Sequence, residues 1–312
     1  MCVDAEYNLK SQIKQAIHDG LPEEEIEDMK RELWILTGDP FYDPDEELDI
    51  AQVDVWPGLE EYEYYHVNGY AKPTLLSYTG MTPLKIAFAE WGFVPFWVET
   101  MQERNSYKAK SNNNLNAQSG HMFTNRTFAD GAKWGRCVVM LDAYYEHHDY
   151  GSKKYPFRIF RKDGKPMYIG CISRKADLYD EESGEEMTIN TLAFLTCKAN
   201  PMMAKIHNNE EMVKRTGHRM LVILEEDQIS DFLKPYPVSH LEKGDPQEEK
   251  LFQEEILNLC QPFPQEKMGY HSVINLRKRK EMPYIGNTPE ITKVYVWEDL
   301  DYEAIKVEGK KE

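Results

Sequence analysis

The chain has 312 residues, 41% hydrophobic and 29% charged, the make-up of an ordinary water-soluble domain with enough length for a well-filled core. No apolar run reaches the roughly 18–20 residues of a membrane helix, and no apolar stretch follows a basic start. A membrane span and a secretory signal are therefore not expected, and the cytoplasm is the expected compartment. The net charge of −17 argues against a nucleic-acid partner until its distribution is read.

Residues 1–63 hold 19 acidic and 4 basic residues, a net of −15. Residues 100–176 hold 14 basic and 6 acidic residues, a net of +8. The acidity belongs to one end and the middle is basic, although solvated surface lysines and arginines would give the same count.

Leu9, Ile13, Ala16 and Ile17 recur at helical spacing, and Gly20 closes the run. A second helix is expected from Pro22, with glutamates in its first turn and Ile26, Met29 and Leu33 on one face. Residues 38–61 are acidic and turn-rich and read as a surface connection. Residues from about 8 to 61 thus form an acidic helical insertion.

From about 62 to 224 short β-rich runs follow one another: YEYYHV, PTLLSY, LKIAFAEW, CVVMLDAYY, YPFRIF, PMYIGCI, INTLAFLTC and RMLVIL. Turns at Asp163-Gly164 and Ser183-Gly184 separate some of them. Helical spacing returns at 226–233 and 247–260, and a charged tail follows about residue 300. Strands in the middle with helices at both ends predict one α+β domain over 1–312.

The cysteines are Cys2, Cys137, Cys171, Cys197 and Cys260, an odd set without a CxxC pair. Free thiols are expected, with Cys137, Cys171 and Cys197 as small buried hydrophobes in apolar runs. No metal or other cofactor is expected, because Glu146-His147-His148 lacks the i,i+4 histidine pair of a helical zinc site.

Cys2 is chemically distinctive. Once Met1 is removed, its α-amine and thiol sit on adjacent carbons and can both add to one aldehyde carbon, closing a five-membered thiazolidine. An internal cysteine cannot, because its nitrogen is an amide. A free α-amine titrates at about 7.7–8.0 and a thiol at about 8.5, so both are near readiness at cellular pH.

Further along lie YHVNG (65–69), WGFVPFW (91–97), LNAQSG (115–120), RCVVMLDAYYEHH (136–148), LTCKANPMMAKIH (195–207), HRMLVIL (218–224) and HSVINL (271–276). In this order, behind Met-Cys, they resemble the SOS response-associated peptidase (SRAP) family. That family's pattern runs Met-Cys-Gly-Arg, W-G-x-x-P-x-W, N-A-R-x-E, R-C-x-x-P-x-x-G-x-Y-E-W and I-H-x-R-M-P. The resemblance covers Cys2 and about 62–280. It implies a mainly antiparallel, barrel-like, bifurcated β-sheet core flanked by helices.

It also implies a DNA-damage response protein that senses abasic sites in single-stranded DNA. The nucleophile loses its methionine autocatalytically and forms a covalent thiazolidine with the ring-opened sugar. Matched residue by residue, Cys2 is the nucleophile, with Asn116, Glu146 and His207 as catalytic partners. Glu146 would move the amine's proton, His207 would protonate the sugar ring oxygen, and Asn116 would orient the sugar. Trp91, Trp97, Gln118, Arg126 and Arg136 are the expected DNA contacts. The partner is single-stranded DNA with abasic sites, and a monomer without membrane attachment is expected. Taken singly, each residue has a plainer reading: Glu146 as an edge carboxylate, His207 as a structural histidine, Asn116 as a turn residue, the tryptophans as core.

The sequence departs from the family pattern in places. Asp4 stands for the arginine after the cysteine, where a carboxylate would repel a phosphate. Gln118 and Gly120 stand for the arginine and glutamate of N-A-R-x-E, and His66 for an asparagine. An insertion, NNEEMVKRTG, separates His207 from His218, which makes His218 a rival. Arg104, Lys108 and Lys110, with Arg126 and Arg136, are the cations available to compensate. Two other readings stay open: a peptidase or thiol hydrolase acting on peptides, and a non-catalytic nucleic-acid-binding relative.

Overall fold

The structure, a computed structural model, describes residues 3–37, 62–110, 112–238, 244–278 and 284–306, and at 34–37, 107–110 and 112–113 the backbone alone. Met1, Cys2, the connection at 38–61 and the last six residues of the tail lie outside the described residues.

The chain enters on a strand that the sequence reading did not anticipate, β1 (Asp4–Asn8). Asn8 ends it and caps α1 (Leu9–His18), accepting from the Ser11 N–H at 2.9 Å. Gly20, at φ +86°, turns the chain after the helix where a side chain would be strained. Pro22 leads into α2 (Glu23–Thr37), whose three first-turn glutamates face the positive end of the helix dipole. Ile13, Ala16, Ile26, Met29 and Leu33 are buried in the main core, so these two helices are a layer of the domain.

After β2 (Glu63–Asn68), β3 (Thr74–Met81) and β4 (Leu84–Trp91) come α3 (Met101–Lys110) and the short β5 (Asn116–Gln118). Helix α4 (Ala129–Trp134) precedes β6 (Arg136–Leu141), β7 (Ala143–Tyr150) and β8 (Lys153–Arg161). The two long strands are β9 (Met167–Tyr179) and β10 (Glu186–Lys198). Helices α5 (Pro201–Ile206) and α6 (Glu210–Thr216) lead to β11 (Arg219–Leu221) and β12 (Ile223–Leu224). The chain finishes with α7 (Glu226–Phe232), α8 (Pro246–Leu259), β13 (Met268–Ser272) and α9 (Tyr302–Ile305).

Strands β10, β4, β3, β6 and β9 pair in that order, and β9 pairs back onto β10, which closes a five-stranded barrel. Its pairings are antiparallel except the β10–β4 seam. A second, wholly antiparallel sheet runs β13–β8–β7–β1–β2. The fold is thus α+β, mainly antiparallel, with a barrel-like, divided sheet core.

Two apolar runs that read as single strands are broken. CVVMLDAYY splits at Asp142, sending β6 into the barrel and β7 into the second sheet. RMLVIL splits at Val222, so that β11 pairs with β10 and β12 with β9. An apolar run records burial, and burial is the same on either side of such a switch.

Cys137, Cys171, Cys197 and Cys260 are free and buried. Burial pushes the thiols of Cys197 and Cys260 up to about 12, so they behave as apolar fillers. Among the described residues, no helix is long and apolar enough to cross a membrane.

Candidate active site

Strand β7 carries Glu146, and helix α5 delivers His207 to it. Asn200 starts α5 by accepting from the Met203 N–H at 2.8 Å, while its own amide donates to the Phe263 carbonyl at 2.8 Å. The helix is only six residues long, and His207 is its last-turn cap, its N–H bonded to the Met203 carbonyl. Tyr144 and His148 of β7 grip the same helix through Met203 Sδ (3.3 Å) and the Lys205 carbonyl (2.9 Å). The helix end is thereby held against the strand, with His207 Nδ1 4.0 Å from Glu146 Oε2. Both side chains are about nine-tenths buried, at 11% and 8% exposure. That separation is at the outer limit of ion-pair range and too long for a hydrogen bond.

Glu146, His207 and Val3 line one cavity of about 350 Å³. Its other walls are His147, Asp149, Lys154, Asn209, Met212 and Arg277. Cys2 lies outside the described residues, but Val3, its neighbour in the chain, faces the cavity.

Val3 is held by its carbonyl, which accepts from the Gly69 N–H at 2.8 Å. Gly69 lets the chain approach closely here: a Cβ would stand 3.0 Å from Leu115 and 3.1 Å from the Trp91 ring, and both would have to shift. Trp91 is the floor beneath it. Its ring stacks on Phe194 at 4.3 Å, and its Nε1–H donates to the Leu115 carbonyl at 2.9 Å. The next residue is Asn116, buried at the start of β5 in register with Phe194 and not itself a cavity wall.

Trp91 therefore cannot be a DNA contact. It is fully buried, and its indole organises the backbone on which Val3 and Asn116 sit. Arg136 is corrected in the same way: its guanidinium donates to the carbonyls of Phe232, Ala132, Lys133 and Lys234, tying α4 to α7. Arg104 is buried against Glu90 at 2.5 Å, and the side chains of Lys108 and Lys110 lie outside the described residues.

Trp97 and Gln118 are half-buried, and Arg126 is exposed. Arg126 stacks over Trp97 and Phe96, 4.7 Å and 5.6 Å from the ring centroids. Phe96 is itself 43% exposed and packs edge-on to Trp97. Gln118 is half-buried at the end of β5.

The insertion between the two histidines folds as a bracket on the end of β7. Asn208 bonds both the N–H and the carbonyl of Asp149, at 2.7 Å and 2.9 Å. Asn209 donates to the Asp149 carboxylate at 2.6 Å and caps α6. His218 returns beside His207, but its ring turns to the His207 carbonyl, 3.4 Å away. His207 is the histidine that faces Glu146.

Asp4 does not present its charge to a ligand, as the sequence suggested it would. Its carboxylate is fully buried and accepts from His66 Nε2 at 2.8 Å, Asn68 Nδ2 at 2.6 Å and Arg277 Nη2 at 3.0 Å. Burial alone would raise its pKa. The hydrogen bond and charge of His66, with the charges of Arg277 and His147, outweigh burial and hold the carboxyl below its ordinary value.

The sequence reading missed the walls His147, Asp149, Lys154 and Arg277. The basic run that begins at Arg277, directly after HSVINL, was the available signal for the last. Among the described residues, no group of three His, Cys, Asp or Glu side chains could hold a metal ion.

This chain belongs to the family described as SOS response associated peptidase (SRAP), whose pattern matches residues 46–276. Over 132 residues it is 25% identical to the abasic site processing protein YMR114C of Saccharomyces cerevisiae, covering 42% of this chain and 32% of that one. Over 124 residues it is 27% identical to the abasic site processing protein YedK of Escherichia coli, covering 39% and 48%. The matches thus span about a third to a half of these curated relatives. A solved structure from Bacteroides thetaiotaomicron superposes with a TM-score of 0.64 at 23% identity, over 95% of this chain and all of that one. One from Bordetella bronchiseptica does so with 0.51 at 22%, over 67% and 87%. At these identities the structural likeness is one of fold.

Proposed function

We propose that this protein senses abasic sites in single-stranded DNA and captures them covalently through Cys2 after removing its own Met1. The observation that carries this reading is Val3, next in the chain to Cys2, lining one cavity with Glu146 and His207. The names of the curated relatives support a setting in abasic-site processing.

Hydrolysis of the Met1–Cys2 peptide bond consumes one water and frees the α-amine. Glu146 accepts the ammonium proton, leaving the amine's electron pair available. His207 protonates the sugar ring oxygen as the deoxyribose opens to its aldehyde. The amine adds to the aldehyde carbon, and the resulting hydroxyl departs as water on receiving a proton. The thiol then adds across the C=N bond, sulfur to carbon and hydrogen to nitrogen, closing the thiazolidine. Capture releases one water overall. Phe96 and Arg126, exposed around the half-buried Trp97, offer a surface on which an unpaired base stacks.

The test is a single-stranded oligonucleotide carrying one abasic site, incubated with protein whose loss of Met1 has been checked by intact mass. The expected product survives denaturing conditions, has the summed mass less one water, and is absent from Cys2→Ala. Correctly processed protein that gives no such product overturns the reading.

A further inference from the structure

We propose that Arg277, held in place by Asp4, binds the phosphate that flanks the captured sugar. The inference rests on the reading above and adds to it a cation of the cleft. Arg277 comes from the far end of the chain, 273 residues from Asp4, and lines the same cavity as Glu146, His207 and Val3.

Its guanidinium meets Asp4 through Nη2 alone, at 3.0 Å and 3.3 Å from the two carboxylate oxygens. Arg277 is 42% exposed on its side chain although its partner is wholly buried. An arginine has five N–H donors in a rigid fork, so one nitrogen tethered to Asp4 leaves the others to meet an anion.

Asp4 is suited to this tether. His66 and Asn68 fix its carboxylate from the other side, and it remains ionised below the ordinary carboxylate range, burial notwithstanding. The cavity otherwise carries carboxylates at Glu146 and Asp149, and Asp149 faces Lys154 at 3.3 Å. A phosphodiester entering beside Glu146 needs a cation that is positioned and still accessible, which describes Arg277. Asp4, read in the sequence as a repulsive charge, becomes a positioning residue for an attractive one.

The experiment is a cycle across the interface. Initial crosslinking rates are measured for the full chain and for Arg277→Gln, with abasic oligonucleotides whose two flanking phosphates are replaced, one at a time, by neutral methylphosphonates. For the unaltered protein, neutralising one of the two phosphates should slow capture by about tenfold, the loss of one charge-assisted bond. Arg277→Gln should be slowed by about the same factor on the natural oligonucleotide and should lose its sensitivity to that methylphosphonate. Asp4→Asn should show a partial loss of the same sensitivity. If Arg277→Gln keeps the full sensitivity at both positions, the inference is wrong. Absence of adduct from the unaltered protein on the natural oligonucleotide would instead overturn the capture reading itself.

Discussion

His207 Nδ1 lies 4.0 Å from Glu146 Oε2, although 61 residues separate them in the chain. The contact exists because helix α5 is clamped to β7 by Tyr144 and His148, which flank Glu146 two residues away on each side. Side chains two apart share a strand face, so the residues that seat the helix also aim it at the carboxylate.

The pair predicts an asymmetry between the two histidines. Glu146→Gln and His207→Ala should each slow adduct formation by about 10²–10⁴-fold, the usual contribution of a positioned acid or base. His218→Ala should stay within about threefold of the unaltered protein, since its ring faces a backbone carbonyl rather than Glu146. Equal losses at the two histidines would show that the bracket, not the ring of His207, matters.

The tryptophans should separate stability from binding. Trp91→Ala removes a fully buried ring and should cost about 3–5 kcal/mol in denaturant unfolding. Trp97→Ala should cost far less stability while weakening binding of an intact single strand by about 1–3 kcal/mol, the scale of one stacked base. Arg126→Ala should weaken binding and flatten its dependence on salt. A Trp97 variant that binds normally would remove the platform from the mechanism.

Asp142 predicts a pH effect of defined sign. Burial, and then the negative charge of Glu6, raise its pKa to about 6, with Arg158 opposing them. Its charged form is disfavoured in the fold, so the native state loses stability as pH rises from about 4, the unfolded value, through about 6. Asp142→Asn should therefore be more stable than the parent at pH 7–8, by about 1–3 kcal/mol, with the gap closing below about pH 4. Thermal melts across this range check it, and a constant gap at every pH would contradict it.

Several features were legible without coordinates. The spacing of Leu9, Ile13 and Ala16, ended by Gly20, is a helix because 3.6-residue periodicity has few other physical meanings. The apolar runs from 62 onward read as strands for the corresponding reason, and the buried thiols followed from their apolar surroundings. The ordered motifs gave the family, and Glu146 and His207 stand together in the cleft.

What escaped was which side of a sheet, which partner and which exposure. The switch at Asp142 leaves no trace in a run whose residues are buried on both sides of it. Trp91 and Trp97 lie six residues apart in one motif, yet one is a floor beneath Gly69 and the other is half-buried under Arg126. The charge of Asp4 looked repulsive because its sign was visible and its partners were not.

Residue types and their order determined the chemistry available to this chain: a thiol at Cys2, a carboxylate, an imidazole, a basic middle. Tertiary structure alone decided that Val3, Glu146, His207 and Arg277 share one cavity. The physical reason is that hydrophobic patterning specifies burial, which is local and non-directional, whereas a site depends on contacts between residues hundreds of positions apart.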